Sequence, residues 1–215
     1  MADKTYAWAI RVFHALFASA ILLQLAVGEL MDVPEVDDDH GEAFSWITTA
    51  FAHENEGGSG GIESSWLFEV HEFLGLFIAG LLVVRVLLAM SQLSGANWRD
   101  LFPWASAEGR SQLVAEFKTQ MSGWMRLKLA TPEASKLTAK TMHGLLLLAA
   151  AVMAVTGTIL YWGWSTTAPQ SMWIETVAGV HETVVGGLMG LIALHILAVI
   201  LHERQGHKVL NNIKP

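Results

Sequence analysis

The chain has 215 residues, 53% of them hydrophobic and only 15% charged, with nine His, no Cys and a formal net charge of −7. A soluble domain carries roughly a quarter charged residues, and the deficit, with a mean hydropathy of +0.41, points to lipid as the solvent for much of the chain. The absence of Cys excludes disulfides, cysteine-ligated zinc, iron–sulfur clusters and the C-x-x-C-H attachment of c-type haem, so metal chemistry must use His, Met or carboxylates.

A membrane-spanning helix needs about 20 mostly apolar residues, and four segments qualify. Lys4 and Arg11 precede the first, Val12–Met31. It has no cleavable signal pattern and is expected to stay as an anchor. The connection that follows, residues 32–65, has no basic residue and carries Asp32, Glu35, Asp37, Asp38, Asp39, Glu42, Glu54, Glu56 and Glu63, with a flexible GGSGG run at Gly57–Gly61. The second span is Trp66–Met90. The long connection 91–140 then collects Arg99, Arg110, Lys118, Arg126, Lys128, Lys136 and Lys140. Within it, Leu113, Val114, Phe117, Met121 and Trp124 recur at helical spacing, which predicts an interfacial amphipathic segment. The third span is Thr141–Trp164, the connection Ser165–Thr176 has only Glu175 for charge, and the fourth span is Val177–His202. Arg204, Lys208 and Lys214 follow. Between Arg11 and Arg85, and between Lys140 and Arg204, there is no Lys or Arg.

This pattern predicts an all-α membrane protein, a single domain over residues 1–215 built as a four-helix transmembrane bundle. By the positive-inside rule both termini and the 91–140 connection are cytoplasmic, and the acidic loop faces the periplasm or exterior. Trp66, Trp162, Trp164 and Trp173 fall at outer helix ends, where an aromatic belt is expected. The location this implies is a bacterial cytoplasmic membrane.

Five histidines lie within the apolar segments: His14, His71, His143, His181 and His195. One imidazole in hydrocarbon can be satisfied by an interhelical hydrogen bond; five in four helices call for a shared purpose. Bis-imidazole ligation of b-type haem supplies one, because the apolar macrocycle also fills space between helices. Depth limits the pairing. His14 and His195 lie near the inner face, His71 and His181 near the outer, so the expected ligand pairs are His14 with His195 and His71 with His181, and the bundle encloses two haems. Fourteen residues separate His181 from His195, an advance of about 21 Å and a rotation only about 40° short of four turns. Both rings therefore leave nearly the same side of one helix at two depths, which together cover most of a hydrocarbon core of roughly 30 Å. His143, near the inner end of its span, competes with His14 by depth alone.

Val70-His71-Glu72 and Val180-His181-Glu182 open two spans alike, and Arg85 stands where the other helix has His195. Arg85 is a candidate partner for a haem propionate, or snorkels to the headgroups. Glu72 and Glu182 are either a protonatable pair or ordinary interface carboxylates. His202, at the inner end of the fourth span, joins Arg85 and His143 as candidate cofactor-binding residues for a quinone headgroup. His40, His53 and His207 read as solvated, and Met153 and Met189 as packing.

His14 following an Arg, His71 with Val83-Val84-Arg85, and His181-Glu182-Thr183 followed by His195 resemble the prokaryotic cytochrome b561 family, which includes the b-type subunits of nickel–iron hydrogenases. The resemblance covers all four spans. It implies two ligands from the fourth helix, paired with one each from the first and second, a non-ligating His143, and a quinone site near His202. The long acidic loop and the long second connection depart from small family members.

The leading functional expectation is a dihaem cytochrome that carries electrons across the membrane. One partner is a periplasmic redox protein, a c-type cytochrome or hydrogenase-like enzyme, and the other is ubiquinone or menaquinone; no nucleic-acid partner is expected. A superoxide oxidase reducing ubiquinone is the alternative from the enzyme class, although an outer face rich in carboxylates repels that anion. A haem-bearing anchor subunit of a larger oxidoreductase is the third.

Overall fold

The computed structural model describes residues 7–31, 63–90, 101–125, 128, 130–165 and 169–214. The nine carboxylates of the acidic loop, apart from the backbone of Glu63, lie outside the described residues, as do His40, His53 and Arg99. Among the described residues five α-helices follow in order: α1 (Trp8–Leu30), α2 (Glu63–Met90), α3 (Ala107–Trp124), α4 (Lys136–Gly163) and α5 (Met172–Arg204). All but α3 are long and apolar enough to cross a membrane, with mean hydropathies of 1.9, 2.5, 2.1 and 2.6 in chain order.

The four spans occur where hydropathy puts them, but each helix starts earlier, and α4 and α5 by five residues. An apolar count stops at the first charge, whereas a hydrogen-bonded helix runs on until its end groups are capped. For α5 the cap is Ser171, whose hydroxyl accepts from the Ile174 N–H at 3.4 Å, with Glu175 in the positive first turn. For α4 it comes from another helix. Glu116 of α3 accepts from the Leu137 N–H (3.2 Å), the Thr138 N–H (2.7 Å) and the Thr138 hydroxyl (2.6 Å). Buried Gln120, one turn further along α3, donates to the Ala134 carbonyl at 3.2 Å.

These bonds dock α3 across the start of α4 and give the expected amphipathic segment its form. Leu113, Glu116 and Gln120 face the docked side, and Val114, Phe117, Met121 and Met125 form an exposed apolar stripe at helical spacing.

In the bundle α5 packs along α4, α2 against α4, and α1 against α2, while α5 has at most marginal backbone contact with α1 and α2. The core is thin. Ala20, Ile78, Leu82 and Ala150 are buried at the α1–α2–α4 junction, with Phe17, Ile21, Leu74, Leu81, Leu147 and Ala154 around them. Most large apolar side chains point outward, among them Leu22, Leu23, Phe77, Val86, Leu87 and Leu197. That distribution suits a solvent as apolar as the side chains themselves. Trp8, Trp66, Trp162 and Trp173 are exposed near helix ends.

The two chain ends meet. The Arg11 guanidinium donates to the Lys214 carbonyl at 2.8 Å. At the end of α5 the Gly206 N–H bonds the Glu203 carbonyl and the His207 N–H bonds the His202 carbonyl, both at 3.0 Å, with Gly206 at φ +82°. This paired reversal needs a left-handed residue, which glycine adopts without strain. The tail is tied down again where Leu210 N–H donates to Glu203 Oε1 at 2.7 Å.

Replacing Glu116 with Ala leaves three donors at the start of α4 without their carboxylate, a cost of about 1–2 kcal/mol by analogy with lost helix caps. Hydrogen exchange should show the Leu137 and Thr138 amides opening faster, with the centre of α4 unchanged.

Candidate functional site

Histidine rings meet in pairs along the bundle. His71 of α2 and His181 of α5 lie with ring centroids 6.4 Å apart and planes at 72°. They sit toward the end of the bundle away from the chain termini. Nearer the termini, His195 of α5 touches His143 of α4 edge-on, with centroids 5.3 Å apart. His14 of α1 is within electrostatic range of both, and Arg85 of α2 within range of His143. The spacing along α5 thus carries one ring to each of two levels, as the sequence implies. The ring in direct contact with His195, however, is that of His143.

The far pair is held by neighbours on three helices. Gln24 of α1 donates to the His71 carbonyl at 3.0 Å, which ties α1 to α2 at this level. A Cβ at Gly28 would stand 3.3 Å from His71 Cε1, and one at Gly157 of α4 would stand 3.2 Å from His181 Cε1. Both glycines therefore let a helix backbone approach a ring edge. His181 Nδ1 lies 2.7 Å from the hydroxyl of buried Thr156, whereas His71 Nδ1 is buried with no hydrogen-bond partner.

At the other level Arg85 is half-buried and its Nη1 has no hydrogen-bond partner among the described residues. His202 stands apart from Arg85 and His143 in its contacts. Its Nδ1 is 2.9 Å from His207 Nδ1, with ring centroids 5.1 Å apart. The sequence reads His207 as solvated; the reversal at Gly206 folds it back instead, so that both rings are half-buried. A Gly four residues after a helical His is the readable signal for that reversal. Glu72 has Glu69 of its own helix as its electrostatic neighbour, and Glu182 is exposed. Two residues of the site escape the sequence reading, Gln24 and Thr156. Gln24 is legible as the one amide in an apolar run; Thr156 carries no such signal, because helical Thr commonly bonds its own backbone.

Among the described residues no group of three or more His, Asp or Glu gathers around a point, so a bare metal ion held by several side chains is not what this arrangement offers. Two opposed imidazoles are another matter. A metal–imidazole bond is about 2 Å, so rings on opposite faces of one metal have centroids roughly 6 Å apart, close to the 6.4 Å between His71 and His181. The partnerless guanidinium nitrogen of Arg85 in an apolar span requires an anionic or acceptor group, and a haem propionate is one. The donor set therefore fits a b-type haem.

A family model described as prokaryotic cytochrome b561 matches residues 5–215. Among curated proteins and among solved structures, nothing matches. Since the family match runs over nearly the whole sequence and includes every histidine described above, the chain belongs to the prokaryotic cytochrome b561 family.

Proposed function

We propose that this chain, a multi-pass bacterial membrane cytochrome of the b type, holds two haems and carries electrons across the bilayer between a periplasmic redox protein and membrane quinone. The observation that carries the reading is the His71–His181 spacing of 6.4 Å within apolar helices, together with His195 fourteen residues further along the same helix. In this reading His71 and His181 would hold the outer haem, His14 and His195 the inner one, and Arg85 would offer its guanidinium to a propionate of the inner haem. Bound haem supplies one-electron redox chemistry. The protein's part is to fix the imidazoles, exclude water and set the two levels.

One observation favours a second assignment of the inner pair, in which His143 replaces His14: its ring touches that of His195. Haem content separates the two. The pyridine haemochrome of the purified chain should give two haems per polypeptide, with a low-spin spectrum. His195→Ala should remove only the inner haem and His71→Ala only the outer. His14→Ala should then cost the inner haem while His143→Ala keeps it, and the reverse result transfers the ligand role to His143. One haem per chain refutes the dihaem reading.

A quinone, ubiquinone or menaquinone, docks at the inner end, where His202 offers Nε2 because Nδ1 faces His207. His202→Ala should raise the KM for quinone several-fold with haem content unchanged; an unchanged KM removes His202 from the site.

The outer partner is a basic electron carrier. Nine carboxylates and no basic residue lie between Asp32 and Glu63, and complementary charge accelerates encounter in a salt-dependent way. Asp37, Asp38 and Asp39 changed together to Asn should slow haem reduction by such a carrier and flatten its salt dependence. Reduction by a small neutral reagent should stay the same. An unaltered carrier rate would mean that the loop does no docking.

A further inference from the structure

Among the described residues, Thr156 is the side chain that meets a ring nitrogen of the far histidine pair. Its hydroxyl oxygen is 2.7 Å from His181 Nδ1 and 2.8 Å from the Val152 carbonyl, four residues back on its own helix. A hydroxyl has a single proton, so only one of these two contacts can use it. Were that proton given to Nδ1, the close approach to the Val152 oxygen would set two lone pairs against each other. Given instead to Val152, it leaves an oxygen lone pair for an Nδ1–H, and both contacts become hydrogen bonds. Thr119, Thr158, Thr176 and Thr183 make the same bond to the carbonyl four residues back, so the second arrangement is also this chain's habit. Thr156 is 8% exposed, and no solvent need compete for either bond.

We infer that Thr156 is a positioning residue that locks His181 with its proton on Nδ1 and its Nε2 lone pair free for iron, and that it makes this imidazole the more electron-donating of the outer pair. A ligating imidazole that donates its other N–H to an acceptor is a stronger base and is held in orientation. Among the described residues, His71 Nδ1 is buried without a partner and receives no such support. The two imidazoles that would hold the outer haem therefore differ. Gly157, next in sequence, completes the arrangement by letting the ring edge approach α4.

The inference rests on the proposed ligation by His181, and the test keeps the two apart. In the full-length chain in nanodiscs, Thr156→Val removes the hydroxyl and keeps the branched shape, and Thr156→Ser restores the hydroxyl. The Val variant should hold the outer haem about tenfold more weakly, at the lower end of what a lost outer-shell partner costs. Its outer-haem potential should shift positive, because a less basic imidazole stabilises the oxidised iron less. Ser should return both values to those of the parent, and the inner haem should stay unchanged throughout as the sign of an intact fold. If Val also loses the inner haem, Thr156→Ala decides the matter by the same potential measurement. An unshifted outer-haem potential in Val or Ala, or a Ser variant as defective as Val, overturns the role of Thr156. His181→Ala checks the reading beneath it: if that variant keeps the outer haem, ligation by His181 falls first. If it loses the haem while Thr156→Val matches the parent, only the role of Thr156 falls.

Discussion

Everything in this chain answers to one constraint, the cost of an unsatisfied polar group in hydrocarbon. The backbone meets it by becoming helix, with every N–H and C=O bonded within its own segment. Side chains have no such default. Thr156, Thr158 and Thr183 each place a hydroxyl against the carbonyl four residues back on their own helix. Gln24 finds a carbonyl on a neighbouring helix. The imidazoles and Arg85 are not satisfied so locally; they gather at two levels, where the proposed haems, flat and apolar, would meet the needs of several at once. Among the described residues, His71 Nδ1 and Arg85 Nη1 are two of the five buried side-chain atoms without a hydrogen-bond partner, beside Arg11 Nε, Gln24 Oε1 and Thr141 Oγ1.

The packing follows from that requirement. A bundle with a complete apolar core would have no room for a macrocycle. Here the buried cluster is one of small and medium side chains where α1, α2 and α4 meet, with Val27 of α1 and Ile174, Val177 and Leu188 of α5 buried outside it. The fifth helix leans on α4 and meets α2 through histidine rings. Its two histidines, fourteen residues apart, need a straight and unbroken helix to stay on one side. The glycines of α5 (Gly179, Gly186, Gly187 and Gly190) have no side-chain or distant backbone atom within 4 Å of where a Cβ would be, so none marks a tight helix crossing. The glycines that matter sit opposite, on α1 and α4, where Gly28 and Gly157 meet the ring edges.

Most of this is legible in the residues because period and polarity carry it. The four spans, the helical spacing of α3 and the two levels of histidine all follow from where apolar residues stop and where ionisable ones interrupt them. What escapes depends on bonds between distant parts of the chain. The early start of α4 depends on Glu116, 21 residues before Leu137 in sequence, which composition cannot link to it. The pairing of His202 with His207 depends on a helix-ending reversal at Gly206. His143 can be placed by depth but not by rotation about its helix, so spacing does not reveal its contact with His195. Whether Thr156 serves its own backbone or a histidine of another helix turns on how closely α4 and α5 approach, which the pattern of residues does not encode.

The two ends of the bundle differ in kind, and the difference bears on how electrons can enter and leave. The end holding the chain termini is braced by short bonds from the protein itself. Arg11 holds the tail at Lys214, Glu203 holds it at Leu210, His207 closes on His202, and Glu116 anchors α3 to α4. Arg11 lies one turn from His14, and His202 lies two turns from His195, so these braces fix the helices that carry the inner rings. A small hydrophobic quinone can reach such an end through the lipid without the braces opening. The connection 32–65 differs in sequence, a run of carboxylates without Lys or Arg. Charges of this kind act over about a Debye length, roughly 8 Å, which in the proposed reading would favour capture of a basic protein over a small anion. A braced end and an acidic connection are what the proposed reading asks of a cytochrome whose two partners would come from two different solvents.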